Sequence, residues 1–279
     1  MEKIKLVYKS YKINVYHRPG DAGKKLVFLH GGGLDNAMLS WKEVIELMGE
    51  GYDIYAVDMI GYGESDKPDI QYSIPLYVDF LYETLKQLDI ERTHLVGLSL
   101  GGSTAIGFSL KHPEMVNKLV LVDPHGLVAR IPFHTLGRWT VNSGLYTKSY
   151  EWMAKSRKFL KWSTQSVLIG DKSKLTEELL STFQKLCEDP EVVKAWNSFQ
   201  RYEMGKHGLT TDLASHLGEL SMPVLLVNGE KDSSVPVKSA LAANKIIPDC
   251  RLHIMKGCKH WAQKERPEEF ARVLQEFLY

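Results

Sequence analysis

Thr93-His94-Leu95-Val96-Gly97-Leu98-Ser99-Leu100-Gly101-Gly102 is the stretch on which the reading of this chain turns. An apolar run over residues 93–96 leads into G-x-S-x-G, and a helix-forming segment, residues 101–111, follows at once. A serine between a strand and a helix sits on a very tight turn, and flanking glycines remove the Cβ atoms that would clash there. The turn lifts the hydroxyl above the sheet and aims a helix N-terminus at it. Ser99 is therefore the candidate nucleophile.

The alternation of strand and helix extends outward on both sides. Short apolar runs occupy residues 26–29, 54–57, 95–96, 119–122 and 224–227, with a less apolar one at 251–255. Runs of this kind suit strands buried on both faces of a parallel sheet. Amphipathic segments at 36–48, 74–88, 101–111, 237–247 and 267–278 predict helices between them, the signature of a doubly wound α/β fold. Before the first run, Ile4, Leu6 and Tyr8 and then Ile13, Val15 and His17 alternate, which predicts two antiparallel strands around residues 9–11. One interval breaks the rhythm. Residues 126–208 hold no clear buried strand, but carry Trp139, Trp152, Trp162 and Trp196 and a helix-length stretch at 175–188. A structureless loop of that length is improbable. The expectation is a helical cap at 126–208 inserted into a core of residues 1–125 and 209–279. Its aromatic side chains suit a pocket lining, with packing inside the cap expected for most of them.

A hydroxyl is a poor nucleophile until a base takes its proton, and a carboxylate must hold that base in the right tautomer. Asp232 follows the run at 224–227, and His260 follows the run at 251–255. Both stand at C-terminal strand ends, the edge where open α/β sheets place their sites. Asp123, at the end of the run at 119–122, is the rival acid. His17, His94, His112, His134, His207, His216 and His253 lack a strand-end glycine context, and surface or packing roles are expected for them. Acyl transfer also needs donors for a developing oxyanion. His30-Gly31-Gly32-Gly33 follows the run at 26–29 and matches an H-G-G-G element that turns backbone N–H groups into a site. The expected donors are the N–H groups of Gly32 and Leu100, with Gly33 or Leu34 as substitutes for Gly32, while His30 reads as structural. The phosphate-binding patterns G-x-x-x-x-G-K-[ST] and G-x-G-x-x-G are absent.

Composition narrows the class further. The 279 residues are 44% apolar and 25% charged, ordinary for a globular protein. A net charge of +1 gives no global electrostatic reason to seek nucleic acid or an anionic membrane. Cys187, Cys250 and Cys258 form no C-x-x-C, so reduced thiols are expected rather than a disulfide framework or zinc site. The first twenty residues break every apolar run with a polar residue, and no stretch reaches the eighteen or so apolar residues that span a bilayer. The expectation is a cytoplasmic protein acting on a small molecule, with no metal and no organic cofactor.

Taken together the motifs resemble the α/β-hydrolase superfamily over essentially the whole chain. Residues 58–66, Asp-Met-Ile-Gly-Tyr-Gly-Glu-Ser-Asp, resemble its D-x-x-G-x-G-x-S turn, a structural element there. The segment 126–208 sits where that superfamily carries its cap. Residues 260–265, His-Trp-Ala-Gln-Lys-Glu, with Glu269-Phe270, resemble the C-terminal motif of the meta-cleavage product hydrolases, which cut C–C bonds in ring-fission products. In those enzymes Asn usually precedes the nucleophile, where this chain has Leu98. They also use a cap arginine, for which the resemblance offers Arg130, Arg138, Arg157 and Arg201. The reading favoured at this level is hydrolysis of a small to medium carboxylic ester or lactone through an acyl-enzyme. C–C bond hydrolysis of a diketone stands second, and a ligand-sensing hydrolase with slow turnover stands third.

Overall fold

The N-terminal alternation builds a hairpin, β1 (Glu2–Tyr8) and β2 (Tyr11–Arg18), paired antiparallel with Lys9 at φ +57° in the turn. The structure is a computed structural model describing residues 1–20, 24–128 and 133–279. After the hairpin come β3 (Lys25–Leu29), α1 (Ala37–Leu47), β4 (Asp53–Val57), α2 (Ile74–Gln87), β5 (Thr93–Leu98), α3 (Leu100–Lys111) and β6 (Val116–Val122). Five helices follow, α4 (His134–Asn142), α5 (Leu145–Lys155), α6 (Arg157–Val167), α7 (Glu177–Glu188) and α8 (Lys194–Glu203). The alternation then resumes with β7 (Val224–Gly229), α9 (Val237–Ile246), β8 (Cys250–Met255), α10 (Ala262–Glu265) and α11 (Pro267–Leu278).

The strands form one eight-stranded sheet in the order β1-β2-β4-β3-β5-β6-β7-β8. Pairing is parallel from β4 through β8 and antiparallel across β1, β2 and β4. Successive side chains on a strand point to opposite faces. Accordingly Val27, Leu29, Leu95, Leu119, Leu121, Val224 and Leu226 pack on one face, against α2 and α3. Leu26, Phe28, Val96, Val120, Val122, Leu225 and Val227 pack on the other, against Trp41 of α1 and Phe270 and Leu274 of α11. Runs that are apolar at every position are thus explained by two covered faces. Polar punctuation sets the helix starts. Asn36 accepts the N–H groups of Met38 and Leu39 at 3.1 and 3.0 Å, and Ser73 accepts that of Leu76 at 3.3 Å.

The helices α4–α8 do not stand apart from these layers. Ala195 and Phe199 join the first apolar cluster, and Met153, Leu160, Leu180 and Phe183 join the second. Packing inside this segment was expected for most of its aromatic residues, and three of the four tryptophans depart from that. Trp139, Trp152 and Trp162 are 60%, 49% and 63% exposed. Short helices have one narrow inward stripe, and aliphatic residues with Tyr150, Phe183 and Phe199 fill it. Trp152 and Trp162 instead flank the partly buried Phe159. Only Trp196 of the four turns inward. Among the described residues no helix is long and apolar enough to cross a membrane.

Candidate active site

Ser99 stands between β5 and α3 at φ +49° and ψ −109°. Its backbone is held from two sides, with its N–H on the Val122 carbonyl at 2.9 Å and its carbonyl accepting the His125 N–H at 3.1 Å. A Cβ at Gly97 would run into the Gly101 backbone, and one at Gly101 into the carbonyls of Leu29 and His30. The turn therefore requires both glycines. The Ser99 hydroxyl caps no helical N–H and has no hydrogen-bond partner among the described residues. It opens on a cavity of about 720 Å³.

His260 and Asp232 reach the same edge because the loops after β7 and β8 are stitched together. Glu230 N–H donates to the Met255 carbonyl at 3.0 Å, and Lys231 N–H donates to that of Cys258 at 2.8 Å. Within this frame Asp232 Oδ2 lies 2.7 Å from His260 Nδ1, and its Oδ1 accepts the Ser234 N–H at 2.7 Å. With Nδ1 engaged, Nε2 is the ring atom left for chemistry, and His260 and Ser99 line one cavity. Asp123 is also drawn in. Its Oδ1 accepts the Gly229 N–H at 2.8 Å, while Oδ2 is buried without a partner. Asp123, Asp232 and His260 offer ligand atoms within 4.8 Å of one another, the spacing a cation would need. Burial first, and then the Asp232 charge, push the Asp123 carboxyl well above the usual carboxylate range. The close approach of two buried carboxyl groups thus favours the protonated form of Asp123.

The glycine loop after β3 forms the opposite wall. His30 is buried and structural: its Nε2 accepts the Met59 N–H at 3.0 Å, which leaves Nδ1 to donate to the Gly31 carbonyl at 2.7 Å. Gly31 N–H donates to Asp35 Oδ2 at 2.7 Å, which also takes the Ser40 hydroxyl at 2.6 Å. The N–H groups of Gly32 and Leu100 have no acceptor among the described residues, and both residues line the cavity. A Cβ at Gly32 would strike the Trp196 indole, so that loop closes against α8 only as glycine. In the turn at 58–66, Asp58 accepts N–H groups of Ala37 and Glu64 and the Asn14 amide, a structural pin.

A family model described as alpha/beta hydrolase fold matches residues 24–267. The chain belongs to the α/β-hydrolase family. Among curated relatives of this hydrolase, 2-hydroxy-6-oxo-6-(2'-aminophenyl)hexa-2,4-dienoic acid hydrolase of Metapseudomonas resinovorans is 30% identical, over 92% of this chain and 84% of that one. The 2-hydroxy-6-oxononadienedioate/2-hydroxy-6-oxononatrienedioate hydrolase of Cupriavidus pinatubonensis is 32% identical, over 93% and 88%. A crystal structure of a serine hydrolase involved in carbazole degradation superposes with a TM-score of 0.83 at 26% identity, covering 99% of this chain and 98% of that one. These findings overturn the favoured ester or lactone reading, because the relatives named are C–C hydrolases, the second-ranked reaction. The ester reading rested on motifs that all serine members share. Those motifs encode the acyl-transfer apparatus and leave the bond to be broken unspecified.

Among the described residues, none of the expected arginines lines the hydrolase's cavity. Arg138 and Arg201 are exposed, and Arg157 is held by Glu177, Ser181 and Gln184 on α7. Arg130 lies outside the described residues. No Lys or Arg lines the cavity among the described residues. His125 does line it, and sequence reasoning passed over it. The missed signal was Asp123-Pro124-His125-Gly126, the same strand-end glycine context that singled out His260.

Proposed function

We propose that this hydrolase cleaves a carbon–carbon bond in a 2-hydroxy-6-oxo-hexa-2,4-dienoate, a vinylogous diketone of the kind its relatives are named for. The observation that carries the reading is the likeness to those relatives across nearly the whole of both chains. Ser99 is the proposed nucleophile, His260 the base, and Asp232 the residue that orients it. His260 Nε2 takes the Ser99 proton as Oγ adds to the C6 carbonyl of the substrate's keto tautomer. The N–H groups of Gly32 and Leu100 hold the oxyanion, neither of them needed elsewhere. Collapse breaks the C5–C6 bond. The electron pair passes into the conjugated C2 carbonyl, and the proton on His260 goes to the leaving fragment. Water activated by His260 then releases the acid from Ser99. The helical segment 126–208 acts as a cap that walls the cavity from solvent, since Tyr150, Phe183, Trp196 and Phe199 line it from that side.

The test is consumption of coloured 6-phenyl, 6-(2-aminophenyl) and 6-alkyl dienoates. In ¹⁸O-labelled water the released acid should carry label. A folded enzyme whose Ser99 reacts with a fluorophosphonate, yet which consumes none of these, would overturn the proposal.

A further inference from the structure

A second polar feature faces the cavity and takes no part in the proposed bond cleavage. His125 lies directly after β6, with its ring edge-on to Phe199 at 6.0 Å. Its Nε2 is buried and has no hydrogen-bond partner. The nearest charge is Glu203 at the end of α8, whose Oε1 stands 3.9 Å from that nitrogen, too far for a hydrogen bond. Glu203 is itself almost fully buried. Its Oε1 accepts the Thr211 N–H at 3.0 Å and its Oε2 the Thr211 hydroxyl at 2.9 Å. No Lys or Arg lines the cavity beside it among the described residues. Buried polar atoms without partners are rare in folded proteins and ask for an explanation. Here two residues that line one cavity leave a ring nitrogen and a carboxylate oxygen 3.9 Å apart with no group bridging them.

We infer that His125 and Glu203 form a specificity subsite for an uncharged hydroxyl on the substrate. An oxygen at ordinary hydrogen-bond distance, about 2.8 Å, from each partner bridges the gap. The hydroxyl donates to Glu203 Oε1 and accepts from His125 Nε2–H. A carboxylate in the same place would meet a second carboxylate with no Lys or Arg among the described residues to balance it. In the Nε2–H tautomer an ammonium would have no lone pair to offer that proton. Around the gap, Phe199, Met204 and Leu209 provide apolar walls for the body that carries the hydroxyl. The substrate class is therefore a hydroxylated aryl or alicyclic compound. This rests on the proposed C–C cleavage only for which bond is cut.

Equilibrium binding tests the subsite apart from turnover. The probes are benzoate, its 2-, 3- and 4-hydroxy isomers, isophthalate and 3-(aminomethyl)benzoate, measured by calorimetry on the full chain. At least one hydroxy isomer should bind about tenfold more tightly than benzoate, the size of one hydrogen bond to a charged acceptor. That preference should vanish in His125→Phe and weaken in Glu203→Gln, where an uncharged amide oxygen takes the place of the carboxylate Oε1. Gln keeps both groups that Thr211 needs, and Phe keeps the ring against Phe199, so both variants should fold by circular dichroism. Equal binding of all probes, or none, would overturn the subsite. So would tighter binding of isophthalate or of the aminomethyl probe, or a hydroxy preference that survives both substitutions. A preference that behaves as expected in a protein that cleaves no dienoate would retain the subsite and discard the C–C reading.

Discussion

Ser99 holds a left-handed backbone, φ +49°, that a side chain with a Cβ rarely adopts. Strain of this kind costs on the order of 1–3 kcal/mol and persists where the surroundings over-determine it. Two substitutions separate strain from chemistry. Ser99→Ala should keep the fold and lose roughly 10⁴-fold or more in kcat. Ser99→Gly should lose as much activity while gaining about 1 kcal/mol of stability in denaturant titrations. An active Ser99→Ala protein would remove Ser99 from the chemistry. The acid is tested by ranking. Asp232→Asn should cost roughly 10⁴ in kcat through the wrong histidine tautomer. Asp123→Asn leaves the Asp232–His260 hydrogen bond in place and should cost far less, and the reverse order would hand the role to Asp123. Ser99, Asp232 and His260 were legible as candidates because each follows an apolar run in a turn rich in glycine or polar residues. The pairing of His125 with Glu203 was not, because the partners come from distant elements and no local pattern joins them.

Two elements meet at Lys259, whose ammonium donates to the carbonyls of Gln165 and Ser166 at 2.7 and 2.8 Å, in the last turn of α6. A cation there satisfies orphan carbonyls and complements the helix dipole. Lys259→Met should lower stability by about 1 kcal/mol, read as a shift in denaturant midpoint. An unchanged midpoint would mean that water replaces the ammonium without cost. On β5, burial and then Lys118 and Lys24 lower the His94 imidazole to about 4. Free imidazole titrates near roughly 6.5. Between those values the unfolded chain binds the extra proton, so the stability present above about 6.5 is lost as pH falls toward about 4. His94→Gln should lose less melting temperature than wild type between neutral pH and that lower value, and parallel losses would exclude His94 as a source. The strands were readable because two-sided burial makes every residue of a central strand apolar. The place of β4 between β2 and β3 was not, since pairing order is a long-range property. The junctions among α4–α8 were equally hidden. Ser156, which ends α5 and caps α6, is a single polar residue in a stretch full of them.

At the scale of the whole molecule, the question is whether the segment 126–208 is a lid resting on a finished core or a part of that core. The contacts argue for dependence. Phe183 of α7 packs edge-on against Trp261 with ring centres 5.6 Å apart. Trp261 N–H donates to the Leu168 carbonyl at 3.0 Å, and Asp171 N–H donates to Glu265 Oε2 at 2.7 Å. A Cβ at Gly61 would strike Ala195, so α8 sits directly on the turn after β4. Lys259 and Trp261, the two neighbours of His260, are thus both tied to the inserted helices. Replacing residues 134–203 by a Gly/Ser linker should therefore cost more than about 3 kcal/mol, because several large apolar side chains lose cover at once. Fluorophosphonate labelling of Ser99 should slow in parallel, since His260 loses the contacts that fix its loop. Denaturant titration and labelling kinetics of the linker form against the full chain decide the matter. A linker form with an unchanged midpoint and an unchanged labelling rate would show that the segment is an independent lid. Loss of both would show that nucleophile activation and cavity closure depend on one shared core.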